Sequence, residues 1–408
     1  MRTSPRALFF TSDSQRVALA RQRYFDEGEI PTGVVKREVL DSWARCQRMR
    51  LSPTNAIEFN EVSLSRAHLA LQRNRLLIEA WANETSEIER TLAGTACSAI
   101  LTDATGVLIA ATGEGDAQAH ITRTAHRVGI NLAEEAVGTT APGLVLKTGQ
   151  PAVVLGGEHY FDSVRPMYCA AAPIRNVHGQ LAGVLDISSE HKTFEFDVAA
   201  VVGLYATCIE NRLLLAQSHE YLVVRMQISP SLLDTPMTGL AGLDSHGNLV
   251  WTNNAASRML GIDTTGVPSS YDVESLFGLP LHRMQTMIRP SPMRLANGLS
   301  VWIQADAPYA EHRPVMSAGT SEHSELPENT TVTTNIESDE TAIFVPTPSE
   351  PATQELSPPA STLRDVDKTL IEQTVQACNG NISKAAKQLG VSRGLIYRRL
   401  GKDHLQSM

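Results

Sequence analysis

The apolar positions of this chain change their spacing several times, and each change marks a different kind of element. Toward the C-terminus Ile382, Ala385, Ala386 and Leu389 recur at i, i+3, i+4 and i+7, a narrow stripe on a helix of about two turns. Gly390 follows and stops it, because only glycine enters the left-handed region without a steric penalty. Ser392 can cap a second helix, with Ile396 and Leu400 as its inward pair. Arg393, Tyr397, Arg398 and Arg399 then face outward. A preceding helix over 363–377 carries Val366, Leu370, Ile371 and Val375 in register to pack on the pair. A short basic helix is by itself only a solvated face, but two short helices around a glycine turn form a helix-turn-helix, whose second helix enters a DNA major groove.

At the other end, residues 1–30 are polar and are expected to be poorly ordered. From Gly33 a helix is predicted, with Val35, Val39 or Leu40, Trp43 and Cys46 on one side and Pro53 as its close. A second helical run, 62–92, carries Leu69, Leu76, Leu77 and Trp81. At Cys97 the period becomes extended. CSAILTD, the turn Ala104-Thr105-Gly106 and VLIAA read as a β-hairpin, with further strands at 153–155, 168–175 and 181–188. His178-Gly179 turns between the last two, and Thr139 or Thr140 caps a helix that has Pro142 in its first turn. A helix over 196–226 follows, with Val198, Val202, Tyr205, Ile209, Leu213 and Ala216 on one stripe; it fits either a twin helix or its own sheet. Residues 237–308 then give a strand, a His246-Gly247-Asn248 turn, a second strand through Trp251 and a helix from Asn254.

Composition changes the picture in two places. Over 311–360 there are seven prolines, fourteen Ser/Thr and nine acids against one arginine, too little apolar surface to offset ordering entropy, so a disordered acidic linker is expected there. The formal net charge is −9, yet from Ser361 onward eight Lys/Arg face four Asp/Glu, so the basic charge is local to the helix-turn-helix. A small cationic footprint on an acidic chain limits nonspecific DNA binding and makes affinity salt-dependent. The apolar patch at 7–10 is too short for a secretory signal, no run is long enough to span a membrane, and five scattered cysteines without CxxC spacing point to reduced thiols in the cytoplasm.

These motifs carry three resemblances. GNISKAAKQLGVSRGLIYRRL closely resembles the Fis-type DNA-binding domain, which dimerises through its first helices. That resemblance implies base or phosphate contacts for Arg393 and Arg398 and backbone contacts for Asn381, Ser383, Lys384, Tyr397 and Arg399, with Ser392 and Gly394 completing the surface. Leu395 departs from the pattern where the family often has threonine. VLDSWARCQRMRLSP, together with the run GEHY, CAAAPI and GVLDIS, is similar to the N-terminal segment and GAF domain of acetoin-catabolism-type regulators, members of the sigma-54 enhancer-binding family. MTGLAGLDSHGNLVWTNNAASRMLGI is similar to the opening of a PAS domain. The implied fold class is multidomain α+β, ending in an all-α domain. Its parts are an N-terminal helical segment (1–60), a GAF domain (61–226), a PAS-like domain (227–310), the linker (311–360) and the Fis-type domain (361–408).

Family members carry an AAA+ ATPase domain ahead of the Fis-type domain; here the linker occupies that place. No GxxxxGK[ST] phosphate loop occurs, and ATGEG at 111–115 lacks the lysine. The expectation is a ligand-responsive, sequence-specific regulator of catabolic genes that does not itself drive sigma-54 activation, or else an accessory partner of a full-length activator. It needs no cofactor or metal. Expected partners are an inverted-repeat DNA operator, a second copy, RNA polymerase and a small effector. Cys97, Thr139, His159, Tyr160 and Cys169 are the candidate ligand residues. His159 beside Glu158 is a weak acid/base pair, since adjacent loop residues point apart, and His120 and His126 are too far apart in sequence for one helix face. The enzyme alternative, a GAF-type cysteine redox enzyme such as a methionine sulfoxide reductase, requires Cys97 and Cys169 to meet; both lie in apolar runs, where thiols are usually inert.

Overall fold

The computed structural model describes residues 12–113, 119–262, 271–306 and Lys384. Two five-stranded antiparallel sheets organise all of these except Lys384, and helices cover each sheet.

In the first sheet, β1 (Cys97–Asp103), β2 (Leu108–Ala111), β3 (Ala152–Leu155), β4 (Met167–Arg175) and β5 (Leu181–Glu190) lie in the order β2-β1-β5-β4-β3. The expected hairpin and all three later strands are present. The alternation of side chains in β5, the central strand, assigns the two faces. Leu185 and Ile187 turn toward α4 (Arg75–Leu92) and α8 (Val198–Ala216), where they meet Leu77, Trp81, Ile88, Val202 and Ile209. Asp186 and Ser188 face the opposite way, toward α5 (His120–Ala125), α6 (Glu134–Val137) and α7 (Ala141–Thr148). Thr140 is the N-cap of α7, its hydroxyl accepting from the Gly143 amide, and Pro142 sits in the first turn. Of the two arrangements open to α8, the described chain shows packing on its own sheet: Val198, Val202, Tyr205, Ile209 and Leu213 are buried there, while Ala216 is only half-buried.

Four expectations are corrected. Residues 13–26 are not disordered: α1 (Asp13–Asp26) is capped by Ser12 and buries Ala20 and Arg21. The reason is local. A helix this polar finds its place through one buried arginine and the Tyr24–Phe25 pair, not through an apolar stripe. The second helix, α2 (Arg37–Arg48), buries Val39, Trp43 and Cys46 but ends before Arg50, which sits at φ 59, so Pro53 lies beyond its end. The run at 62–92 is two helices, α3 (Leu64–Arg73) and α4, parted at Asn74, whose side chain donates to the Ala70 carbonyl; Leu69 is exposed. Finally, the predicted helix over 196–226 stops at Ala216, and Leu222–Gln227 is strand β6. LVVRMQ is β-branched and largely apolar, and such a short run reads equally as helix or strand.

That missed strand is the centre of the second sheet. With β7 (Gly239–Leu243), β8 (Leu249–Thr252), β9 (Ser291–Arg294) and β10 (Ser300–Asp306) the order is β8-β7-β6-β10-β9. This is the cyclic order of the first sheet shifted by one strand: the first sheet places its last strand centrally, and the second places its first strand there. The two expected strands, the turn at 246–248 and the helix α9 (Asn254–Leu260) are present, and α10 (Val273–Phe277) and α11 (Leu281–Gln285) complete the cover of the core around Val224, Met226, Leu276 and Ile303. The two sheets meet at the end of α8. Leu214 packs with Val177 on one side and Val223, Leu240 and Trp251 on the other. Asn253 Nδ2 donates to Asn211 Oδ1 of α8 (2.8 Å) and to the Thr238 carbonyl (2.8 Å), while its own oxygen caps α9 by accepting from the Ala256 amide.

Candidate effector cavity

The polar face of β5 is buried, and it lines a cavity. This cavity, of about 40 Å³, lies between the first sheet and α5, α7 and the 156–164 loop. Its apolar wall includes Phe59, Ile100, Ile121, Val137, Val164 and Met167; its polar groups are His126, Thr140, His159, Cys169, Asp186 and Ser188. An apolar wall with a few convergent polar groups is the mixture of a small-molecule site, and the volume suits only a very small molecule.

The polar groups divide by whether they are satisfied. His126 is held at both ring nitrogens, by Ser98 Oγ (3.0 Å) and Ser188 Oγ (3.3 Å), and burial pushes its pKa down to about 4. Glu190 at the end of β5 accepts from the Ile121 and Thr122 amides and so fixes the start of α5 over the cavity. His159 Nδ1 lies 3.0 Å from the Gly156 carbonyl, and since a carbonyl only accepts, Nδ1 carries the hydrogen and Nε2 is left as a bare acceptor. Burial is the largest cause of its lowered pKa, about 4; the Gly156 hydrogen bond opposes it and the Arg21 charge adds to it. Asp186 is fully buried, and desolvation raises its carboxyl to about 7 against the opposing Ser188 hydrogen bond. Neither His159 Nε2 nor Asp186 Oδ1 has a hydrogen-bond partner among the described residues.

The loop that carries His159 is held from the N-terminal side. The Arg21 guanidinium donates to the His159 carbonyl (2.6 Å), the Tyr160 carbonyl and Asp162 Oδ1 (2.8 Å), and lies over the Phe25 ring at 4.7 Å and the Trp43 ring at 5.7 Å. Trp43 Nε1 donates to the Glu158 carbonyl (2.8 Å). Two residues further along α2, Arg45 forks onto buried Glu134 through Nε and Nη2, each at 2.7 Å, and Ser42 joins that carboxylate to Thr139. The N-terminal helices are thus part of the cavity's frame.

The five ligand candidates read from sequence are only partly brought together. His159 and Cys169 line the cavity. Thr139 is fully buried but bonded to Ser42, and it is Thr140 that reaches the cavity. Tyr160 is buried among Phe25 and Phe161, its hydroxyl donating to the Leu51 carbonyl (2.6 Å), and Cys97 stands outside the lining. Register separates the two thiols: Cys97 pairs with Ser189 and Cys169 with Ser188, so they point to opposite faces of the sheet. Both thiol pKa values are raised by burial. Of the DNA-binding candidates, Lys384 is helical and exposed; Asn381, Ser383, Ser392, Arg393, Gly394, Tyr397, Arg398 and Arg399 lie outside the described residues.

Residues 11–202, which hold α1, α2 and nearly the whole cavity, match the family described as "MimR, N-terminal domain", and residues 362–402 match "Bacterial regulatory protein, Fis family". The chain is a homologue of the acetoin-catabolism-type regulators. It is 28% identical over 268 residues to the "Acetoin catabolism regulatory protein" of Cupriavidus necator, covering 63% of this chain and 40% of the relative. To the "Propane 2-monooxygenase operon transcriptional activator MimR" of Mycolicibacterium goodii it is 32% identical over 184 residues, 43% of this chain and 29% of the relative. A third relative, the "Acetoin dehydrogenase operon transcriptional activator AcoR" of Bacillus subtilis, is 28% identical over 41% of this chain and 28% of its own length. The chain therefore spans less than half the length of these relatives. The family match begins at residue 11, so α1 lies within the matched residues. Asp186, the residue that sequence reasoning passed over, had a signal: in LAGVLDISSE the alternation puts Asp186, Ser188 and Glu190 on one face of a strand whose other face is apolar.

Among the described residues one helix, Val198–Ala216, is long and apolar enough to cross a membrane, but it is α8, packed on both sheets.

Proposed function

We propose that the chain is a ligand-responsive, sequence-specific DNA-binding transcriptional regulator of catabolic genes. A small effector occupies the cavity over β5, and the Fis-type helix-turn-helix binds an inverted-repeat operator as a homodimer in the cytoplasm. The observation that supports this reading most directly is that one chain carries both parts: a buried cavity with two unsatisfied polar groups in a MimR-type domain, and a match to the Fis family at residues 362–402. The relatives' names place them in control of operons for small organic compounds, which supports the same kind of effector here.

The reading involves no ATP hydrolysis by this chain, whose sequence has no phosphate loop. Regulation then follows from where the protein sits relative to RNA polymerase, or from joining a full-length activator. It also involves no catalysis: the outward divergence of Cys97 and Cys169 disfavours the thiol redox alternative.

The test is DNA binding by the full chain to fragments recovered from its own genome. Arg393→Ala or Arg398→Ala should weaken specific binding about tenfold or more, since one bidentate base contact is worth roughly 1–3 kcal/mol. Unchanged binding in both variants would remove these residues from the interface.

A further inference from the structure

The cavity's two unsatisfied groups say what kind of molecule fits it, an argument that rests on the effector reading above. We propose that Asp186 and His159 are the specificity determinants of this cavity and that they select a small uncharged molecule carrying at least one hydroxyl.

His159 comes first because its chemistry is fixed. With Nδ1 committed to the Gly156 carbonyl, Nε2 presents only a lone pair, so whatever meets it must bring a hydrogen. A hydrocarbon, an ether or a simple ketone brings none and would leave a buried acceptor unpaired, at a cost comparable to a lost hydrogen bond. Asp186 stands on the central strand and lines the same cavity, and its Oδ1 has no hydrogen-bond partner among the described residues. A carboxyl there accepts from a hydroxyl when ionised and donates to one when protonated, so a hydroxyl satisfies it in both states.

Charge is excluded by what surrounds these two groups. Among the described residues the lining contains no lysine or arginine, so an anion would lie beside a carboxyl with none of them to compensate it. Arg21 does not supply that charge: its guanidinium is spent on the backbone carbonyls behind the loop and on Asp162. A cation would find one carboxyl in an otherwise uncharged, apolar chamber, and would have to leave water for a site that already resists ionisation. His126 does not add a further free group, because Ser98 and Ser188 occupy both its nitrogens.

The experiment titrates the full chain with three near-isosteric probes, propylene glycol, lactate and isopropanolamine, by calorimetry and thermal shift. A cavity-filling variant, Ala125→Leu, serves as the site control, because Ala125 is buried in the wall. Propylene glycol should bind and be lost in Ala125→Leu. Asp186→Leu and His159→Phe should each weaken it about tenfold or more; the first keeps roughly the size while removing every polar atom, and the second keeps a ring while removing the lone pair. Native thermal unfolding of each variant confirms that it folds. If lactate or isopropanolamine binds instead, and Ala125→Leu abolishes that binding, the selectivity is wrong while the effector site stands. If no probe binds at saturating concentration, the proposed selectivity is refuted. If, in addition, Ala125→Leu leaves promoter occupancy in cells unchanged, the effector reading fails with it.

Discussion

Replacing Arg21 by alanine should loosen the loop that carries His159 and closes the cavity. The guanidinium is 4% exposed and donates to the carbonyls of His159 and Tyr160. Removing it strands those two acceptors beneath α1, where water has little access. A hydrogen bond from a charged donor contributes about 1.5–3 kcal/mol, and stacking over Phe25 and Trp43 adds about 0.5–1 kcal/mol. The bond to Asp162 counts for little, because that carboxylate is 40% exposed and recovers water when the arginine leaves. Against these gains stands the cost of burying a guanidinium, the cause of its lowered pKa. The net loss worked from these contributions is about 3–5 kcal/mol, in line with breaking one partner out of a buried charged contact. Urea denaturation of the full chain, followed through Trp43 fluorescence, measures that loss. Hydrogen exchange at the amides of 156–164 localises it. A change below about 1 kcal/mol, or a loop whose exchange is no faster than before, would refute the claim that the N-terminal helix secures the cavity wall.

Other consequences follow from named contacts. Gly138→Ala should cost at least about 2 kcal/mol in thermal unfolding, because φ is 67° there and a Cβ would lie 2.8 Å from the Phe161 ring; full stability would mean that the 138–140 turn relaxes freely. Asn253→Ala removes the cap of α9 and its bond to Asn211, and should cost about 2–4 kcal/mol, reducing coupling between the two sheets in hydrogen exchange. The buried titrating groups give a pH signature. Asp186, raised to about 7, stabilises the fold at low pH and loses that contribution as pH rises toward 7, whereas His126 and His159, lowered to about 4, stabilise it above about 6.5 and lose that as pH falls toward 4. Asp186→Asn removes the falling contribution alone. Between pH 4.5 and 6.5 its stability should therefore rise relative to the parent by about 1.4 kcal/mol per pH unit, and parallel curves would place the Asp186 titration elsewhere.

The parts of this fold that were legible in the sequence are those where local pattern and tertiary contact agree. CSAILTD and VLIAA are short, largely apolar runs that enclose a glycine turn, and that hairpin forms where expected. Residues Val39, Trp43 and Cys46 share a helical face and are all buried. What stayed hidden depended on partners far along the chain. No local signal says that Arg21 will be buried, since its acceptors are more than a hundred residues away. LVVRMQ became a strand because β7 and β10 flank it, not because its own residues exclude a helix. The cavity was half legible: His159 and Cys169 were picked out, whereas Thr139 and Tyr160 serve neighbouring contacts and Asp186 was not singled out within its strand.

If the C-terminal helix-turn-helix binds DNA on behalf of the sensory domain, genome-wide occupancy will show it. The full chain is mapped beside one truncated after His312. A few discrete sites at catabolic promoters are expected for the full chain, and their loss on truncation. The same empty map from both proteins would contradict it.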